Sequence, residues 1–227
     1  MKLQKLRRTT GVGIAVIALS ATFAACSSED DEPTGGSDTT SSETSEDTGS
    51  EDAMAAGGTA EVFGPACSAV PTEGEGSLDG MVDDPVATAA SNNPLLSTLV
   101  TAVTSIDGLA DTLNGAEALT VFAPYDDAFA EIPKKDLNGL VEEGQQKGDK
   151  SALYKILAHH VVGANATADA VVGDHETLAG DQLTVDGDPA SGMTVTDGTV
   201  TANVLCGNIP TANATVYVID KVLTGVK

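Results

Sequence analysis

The chain has 227 residues, 34 acidic against 11 basic side chains, a net charge of −23, 3% aromatic residues and no Trp. So acidic a chain is repelled by the phosphates of nucleic acids and by anionic lipid surfaces, which argues against both as partners. The charge favours solubility or cationic partners. The few aromatic residues also argue against a sugar-stacking platform or an aromatic ligand pocket.

The N-terminal segment has the pattern of an export signal. Residues 1–8 carry four basic side chains, and residues 11–25 are uncharged and mostly apolar. This run is shorter than the roughly 20 apolar residues of a transmembrane helix. The sequence Phe23-Ala24-Ala25-Cys26 resembles the bacterial lipobox, in which the cysteine thiol is lipidated. We therefore predict a lipoprotein signal peptide over residues 1–25 and acylation, of the palmitate type, at Cys26. A cleaved signal peptide with an incidental cysteine is the alternative.

An acidic, polar segment follows Cys26. Residues 27–62 contain eleven acidic side chains and no Lys or Arg, and they lack Phe, Leu, Ile, Trp and Tyr. Such a segment cannot bury enough apolar area to offset its ordering entropy. We predict that residues 26–62 form a disordered tether, which would place the following domain away from the outer face of the cell membrane.

Residues 63–227 have the length of one domain. They contain 23 acidic residues, seven Lys and no Arg, so their net charge is −16. The two remaining cysteines, Cys67 and Cys206, lie in this domain, and an exported pair is bridged more often than it is free. We predict a structural disulfide. The alternative, a redox pair, requires a CxxC-like arrangement that the sequence lacks.

The first half of the domain has helical periodicity. Pro85 and Pro94 each stand where a first-turn proline begins a helix, and Leu95, Leu96, Leu99, Val100 and Val103 form one apolar stripe. A third short helix is predicted near Leu109–Leu113. A strand over Leu119–Pro124 precedes a helix that Asp126 and Asp127 are placed to cap, and two more helices are predicted over 134–146 and 151–160.

From Val161 onward the pattern favours strands. The segments HETLAG, QLTVDGD, GMTVTDG, TANVLC and ATVYVIDKVL alternate or are β-branched, and Gly and Asp turns separate them. Helices followed by a sheet indicate an α+β fold.

Three blocks of the domain resemble the signature blocks of fasciclin-type domains. LTVFAPYDDAFAEI (Leu119–Ile132) resembles the first block, ILAHHVV (Ile156–Val162) the central Tyr-His block, and TANATVYVIDKVL (Thr211–Leu223) the last block. The flanking cysteine segments are similar to those of single-domain fasciclin lipoproteins and secreted antigens of mycobacteria, in which the two cysteines are bridged. His159 departs from the family pattern, which has Tyr at that position.

The resemblance implies a wedge of two small β-sheets flanked by several helices. It also implies adhesion to envelope, extracellular matrix or host components through a protein or glycan ligand, without catalysis or a cofactor. The positions that carry the motif are His159, His160, Phe122, Pro124, Phe129 and Asp220. An envelope module that binds a small molecule or lipid in an apolar groove above about 300 Å³ is the alternative function.

The sequence offers no stronger chemistry. His159 and His160 are adjacent and cannot share one metal easily, and the HExxH and GxSxG patterns are absent. We interpret His160 as a core histidine bonded to backbone, with a place in a partner-binding surface as the alternative. We predict no catalytic or metal site.

Overall fold

The computed structural model of the protein describes residues 61–226. The signal peptide, Cys26 and residues 26–60 of the predicted tether lie outside the described residues, so lipidation and the tether stay predictions. Within residues 61–226, no helix has both the length and the apolar character that a membrane span requires.

The described residues form the α+β fold predicted from the sequence. The helices are α1 (Leu78–Met81), α2 (Val86–Asn92), α3 (Ser97–Thr104), α4 (Leu109–Gly115), α5 (Asp126–Ala130), α6 (Lys134–Lys147) and α7 (Ala152–His159). The strands are β1 (Leu119–Pro124), β2 (Val161–Val162), β3 (Gly173–Glu176), β4 (Gln182–Asp188), β5 (Gly192–Thr196), β6 (Thr201–Pro210) and β7 (Ala214–Ile219). Single 3₁₀ turns cover Cys67–Ala69, Pro94–Leu96 and Gly148–Lys150.

Prolines mark the helix starts, as the sequence predicts. Pro85 lies immediately before α2, and Pro94 begins the 3₁₀ turn that leads into α3. The Asn93 side chain accepts a hydrogen bond from the Leu95 amide at 3.0 Å and so satisfies one of the free donors of that turn. The prediction that Asp126 and Asp127 cap α5 is wrong, because both lie in its first turn and no side chain caps this helix. The Asp126 carboxylate caps α3 instead, because it accepts from the Thr98 amide at 2.7 Å.

The strands form a mixed sheet in the order β2-β1-β7-β6-β5-β4-β3. Strand β1 pairs with β7 in parallel, and the other neighbours are antiparallel. The ten-residue β6 pairs with β7 through its second half and with β5 through its first half. The two small sheets that the resemblance implies are therefore two halves that share β6.

The residues of β1 and β7 alternate between two cores. The helix-side core, which contains Leu99, Leu109, Leu153, Cys206, Val216 and Val218, lies between the helices and the sheet. The sheet-side core, which contains Phe122, Leu183, Val195, Tyr217, Ile219 and Leu223, lies on the opposite face of β1 and β7. The central strands are thus covered on both faces.

Strand β6 changes register twice along β7, between Val204 and Cys206 and between Cys206 and Ile209. This stretch is where the start of the domain joins the sheet, because Phe63 bridges to Gly207. A Cβ atom at Gly207 would lie 2.5 Å from the Phe63 ring, so only glycine permits this approach. Next to it, a disulfide joins Cys67 to Cys206, 139 positions apart.

Candidate functional site

The histidine pair lies at the C-terminal end of α7. Ser151 begins this helix, and its Oγ accepts a hydrogen bond from the Tyr154 amide at 3.1 Å. The helix buries Leu153 and Leu157 and ends at His159, after which the chain turns into β2. Both histidines are consequently held inside the domain, with 1% and 3% of their surface exposed.

His160 has a complete set of hydrogen bonds. Its Nδ1 lies 2.7 Å from the Ile156 carbonyl, and its Nε2 lies 3.0 Å from the Leu223 amide nitrogen. The carbonyl requires a proton on Nδ1 and the amide requires a lone pair on Nε2, which fixes the neutral tautomer. Burial, opposed in part by the bond to the Ile156 carbonyl, lowers the pKa of His160 from 6.5 to about 4.

His159 lies between two carboxylates. Its Nδ1 is 3.4 Å from Asp181 Oδ2, and its Nε2 is 3.7 Å from Asp197 Oδ2. Within the described part of the chain, neither ring nitrogen makes a hydrogen bond. The two imidazole rings stand edge to face with their centres 6.2 Å apart, so a proton on one ring opposes a proton on the other.

Asp197, one of these two carboxylates, is held by three backbone amides. Its Oδ1 accepts from the amides of Thr199 and Val200 at 2.7 and 2.6 Å, and its Oδ2 accepts from the Gly225 amide at 2.7 Å. Burial alone would raise the pKa of Asp197, but the three amide hydrogen bonds outweigh it and lower the pKa. Asp197 is therefore a carboxylate that links the β5–β6 turn to the C-terminal segment, Lys221–Val226.

Sequence reasoning missed Asp181 and Asp197 as neighbours of the histidines. They follow β3 and β5, far along the chain from α7, and each stands in a segment that resembles an ordinary Asp-containing turn. The one signal that could have found them is His159 itself. His159 carries two polar ring nitrogens at a position where the fasciclin pattern has Tyr, and buried polar groups usually have polar partners.

The other motif residues support the same region. Phe122 stacks against Tyr217 with ring centres 5.7 Å apart. Pro124 ends β1 opposite Ile219, and Phe129 of α5 is buried in the helix-side core. Asp220 accepts from the Asn203 amide at 2.7 Å and from its side-chain nitrogen at 2.6 Å, and so fixes the end of β7 to β6.

These groups form a buried histidine–carboxylate cluster inside the fold. Among residues 61–226, neither imidazole forms a hydrogen bond with a Ser or Cys side chain, the contact by which a base activates a nucleophile. Among residues 61–226, no group of three or more His, Cys, Asp or Glu side chains is placed to hold a metal ion. Of the side chains that the sequence singled out, His159, His160, Phe122 and Phe129 are buried, whereas Asp220 is partly exposed.

Two apolar cavities flank His160. One, of about 80 Å³, lies among α2, α3, α4 and α7, and exposed Leu178 stands at its wall. The other, of about 120 Å³, lies among α3, α5, α6, α7 and the C-terminal segment. Both are smaller than the groove of about 300 Å³ that a ligand-binding module would use. Two clefts, of about 660 and 310 Å³, lie beside Cys67 and Cys206. Carboxylates contribute to the walls of both, so neither is the purely apolar groove that the alternative function requires.

Comparison with known proteins agrees with the motifs. Residues 94–225 match the model of the fasciclin domain. The chain is 46% identical over 154 residues to the cell surface glycolipoprotein MPB83 of Mycobacterium bovis, a match that covers 66% of this chain and 64% of MPB83. It is 42% identical over 171 residues to the immunogenic protein MPT70 of Mycobacterium tuberculosis, which covers 72% of this chain and 82% of that protein.

The match to MPB83 thus spans less than two thirds of that relative. Among solved structures, a FAS1 domain pair from the insect cell adhesion molecule fasciclin I aligns with 57% of this chain and 44% of that one, at 20% identity and a TM-score of 0.45.

Proposed function

The chain belongs to the fasciclin domain family, and from this we propose that it is a cell-surface adhesion protein that acts by binding and not by catalysis. Its ligand would be a protein or glycan of the cell envelope, the extracellular matrix or a host. The observation that carries this proposal is the 46% identity to a protein named as a cell surface glycolipoprotein.

The surface of the domain is consistent with binding by shape and charge. Lysines are few and carboxylates many over residues 63–227, where the net charge is −16. The motif histidines are buried and therefore cannot contact a ligand without a change in structure. Recognition would therefore use the exposed acidic faces of helices and turns, which favour cationic or neutral partners.

Export and anchoring belong to the same proposal. A signal peptide over residues 1–25 would direct the chain out of the cell, acylated Cys26 would hold it at the outer face of the membrane, and residues 26–62 would act as the tether. The name of MPB83 supports lipidation of that relative. One acyl chain alone binds membranes only marginally, so stable anchoring would need a second chain on the processed cysteine.

The anchor is tested by Cys26→Ser in the full chain. We expect the variant to leave the membrane fraction and to lose incorporation of labelled fatty acid, whereas Ser27→Ala, one residue later, should retain both. If Cys26→Ser stays in the membrane fraction, the apolar run is an uncleaved anchor and the lipoprotein proposal fails.

The ligand is sought by photo-crosslinking the full chain to intact cells and identifying what is captured. Repeated capture of an envelope or matrix component, abolished by excess unlabelled protein, would support adhesion. Co-purification of a small lipid or metabolite alone would contradict adhesion and favour the alternative, an envelope module that binds a small molecule or lipid. The apolar cavities beside His160 are small and give little support to that alternative.

A further inference from the structure

The C-terminal segment Lys221–Val226 crosses the histidine pair without forming a strand or helix. It begins after Asp220, whose amide donates to the Asn203 carbonyl at 3.1 Å and whose carboxylate accepts two bonds from the same residue. Asp220 is thus a fixed point from which the segment starts. Val222 and Leu223 then bury their side chains, 8% and 0% exposed.

Two backbone amides of this segment are bound by titratable side chains. The Leu223 amide donates to His160 Nε2 at 3.0 Å, and the Gly225 amide donates to Asp197 Oδ2 at 2.7 Å. A Cβ atom at position 225 would lie 2.7 Å from the Asp197 carboxylate, so the contact depends on glycine. Protonation removes the only lone pair of the imidazole Nε2 and the negative charge of the carboxylate, whereas a backbone carbonyl acceptor does not titrate.

The bond to His160 exists in one protonation state only. Because Nδ1 is committed to the Ile156 carbonyl, a second proton must go to Nε2, which would then point an N–H group at the Leu223 N–H. Two donors face to face repel, and a buried imidazolium lacks solvation. A protonated His160 therefore favours displacement of the segment that covers it.

The titratable groups around His160 come from three elements. His159 stands beside it on α7 and Asp197 follows β5, whereas Asp181, which follows β3, lies next to His159. Asp197 attracts a proton to His160, whereas His159 opposes it. The walls that α3, α5 and α6 contribute to the cavity next to His160 are uncharged, with Leu99, Phe129, Ile132, Leu137 and Leu140.

From this geometry we propose that Lys221–Val226 is a pH-sensitive clasp, closed by His160 and Asp197 at neutral pH and opened by acid. The hinge is Asp220, which keeps its bonds to Asn203. Opening removes Val222 and Thr224 from the wall of the 120 Å³ cavity and admits water to His160. The consequence is an apolar surface between α5, α6 and α7 that the protein presents only in an acidic medium.

The size of the response follows from linkage. If opening lets His160 recover its ordinary pKa, the opening equilibrium constant rises roughly 100-fold between pH 7 and pH 4. Burial of Leu223 keeps the segment mostly closed at neutral pH. The proposal concerns local opening, so the central strands are expected to keep their structure over the same range.

Amide hydrogen exchange on the full chain tests this directly. After correction for the intrinsic exchange rate, protection of Leu223 should fall about 100-fold from pH 7 to pH 4. Val216 and Val218 of β7, which exchange only when the whole domain unfolds, should remain better protected than Leu223 at every pH. Equal protection factors at Leu223 and Val218 would mean that Leu223 exchanges only by global unfolding, and unchanged protection at Leu223 would mean no clasp; either result overturns the proposal.

Three variants separate the parts of the device. His160→Gln removes the titrating acceptor and should abolish the pH response at Leu223. Asp197→Asn replaces Oδ2, which accepts from the Gly225 amide, with an NH₂ group that cannot accept. The Gly225 amide should then exchange faster at pH 7, while the pH dependence of exchange at Leu223 persists. His175→Gln is the matched control, because His175, on β3, bonds the Val171 carbonyl and its replacement should leave both responses unchanged.

If His160→Gln does not fold, two other measurements still test the clasp. They are amide exchange of the Asp197→Asn variant and the pH dependence of the His160 imidazole chemical shifts in the unaltered chain. A His160 ring that titrates without any change at the Leu223 amide contradicts the proposal. Full protection of Gly225 in Asp197→Asn contradicts the carboxylate half of it.

Discussion

Strands β7 and β5 differ in how their two faces are covered. All six residues of β7 are buried, alternating between the helix-side core and the sheet-side core. In β5, Met193 and Val195 are buried while Thr194 and Thr196 are partly exposed. The sequence shows this difference at alternate positions of each strand, which hold Val216 and Val218 in β7 but Thr194 and Thr196 in β5. A strand covered on both faces has no position that tolerates change, whereas a one-sided strand has one such position in two.

The largest expected effect is that of Phe122→Ala. Phe122 has no exposed surface and fills the sheet-side core against Tyr217. We expect the variant to lower the free energy of unfolding by about 4 kcal/mol, because it removes the ring and leaves a cavity. Urea denaturation followed by circular dichroism measures this value.

Neighbouring positions on the two strands sharpen the comparison. Val218→Ala in β7 and Val195→Ala in β5 should each cost about 2 kcal/mol. Thr194→Ala, next to Val195, should change the stability by less than about 0.5 kcal/mol. Equal losses at Thr194 and Val195 would show that β5 is covered on both faces, against the burial described above.

The disulfide lies on the helix-side core, and its removal is expected to have an effect comparable to that of Phe122→Ala. Replacing both cysteines, Cys67→Ser with Cys206→Ala, should lower the free energy of unfolding by about 3 to 5 kcal/mol, since a long loop is freed in the unfolded chain. The same denaturation measurement, with the unaltered protein under reductant as the control, checks it. A loss below 1 kcal/mol would mean that the Phe63–Gly207 pairing alone holds the start of the domain.

The stability should also depend on pH through His160. Its pKa in the folded protein is lowered to about 4, so the unfolded chain binds a proton at a higher pH than the folded one. Stability is therefore full above pH 6.5 and falls as the pH drops towards 4, by about 3 kcal/mol at most.

Denaturation series at pH 7, 6, 5 and 4.5 measure this slope. His175→Gln should retain it and His160→Gln should lose it, whatever the absolute stability of either variant. A slope that survives His160→Gln would assign the pH dependence to other groups.

Much of this fold was readable in the sequence because its signals are local. Strand Leu119–Pro124 has apolar residues bounded by proline, and strand 182–188 has alternation bounded by Gly and Asp, so both were predicted with the bounds that the structure has. The pairing of β1 with β7 in parallel and the place of Asp197 beside His159 were not predicted. They depend on contacts between distant segments, for which periodicity carries no information.

Asp126 shows how a local signal can be assigned to the wrong partner, and its removal is expected to have a smaller effect than the core, disulfide and pH changes. Its carboxylate binds the Thr98 amide at 2.7 Å and the Ser97 hydroxyl at 2.6 Å, at the start of α3. Asp126→Ala should therefore cost about 1 kcal/mol, the usual contribution of a helix cap. Asp127→Ala removes the same charge from the same turn of α5 and is the matched control, with little expected loss because Asp127 is exposed. Amide exchange locates the effect: the Asp126 variant should lose protection in the first turn of α3, and loss confined to α5 would restore the capping role that the sequence alone suggested.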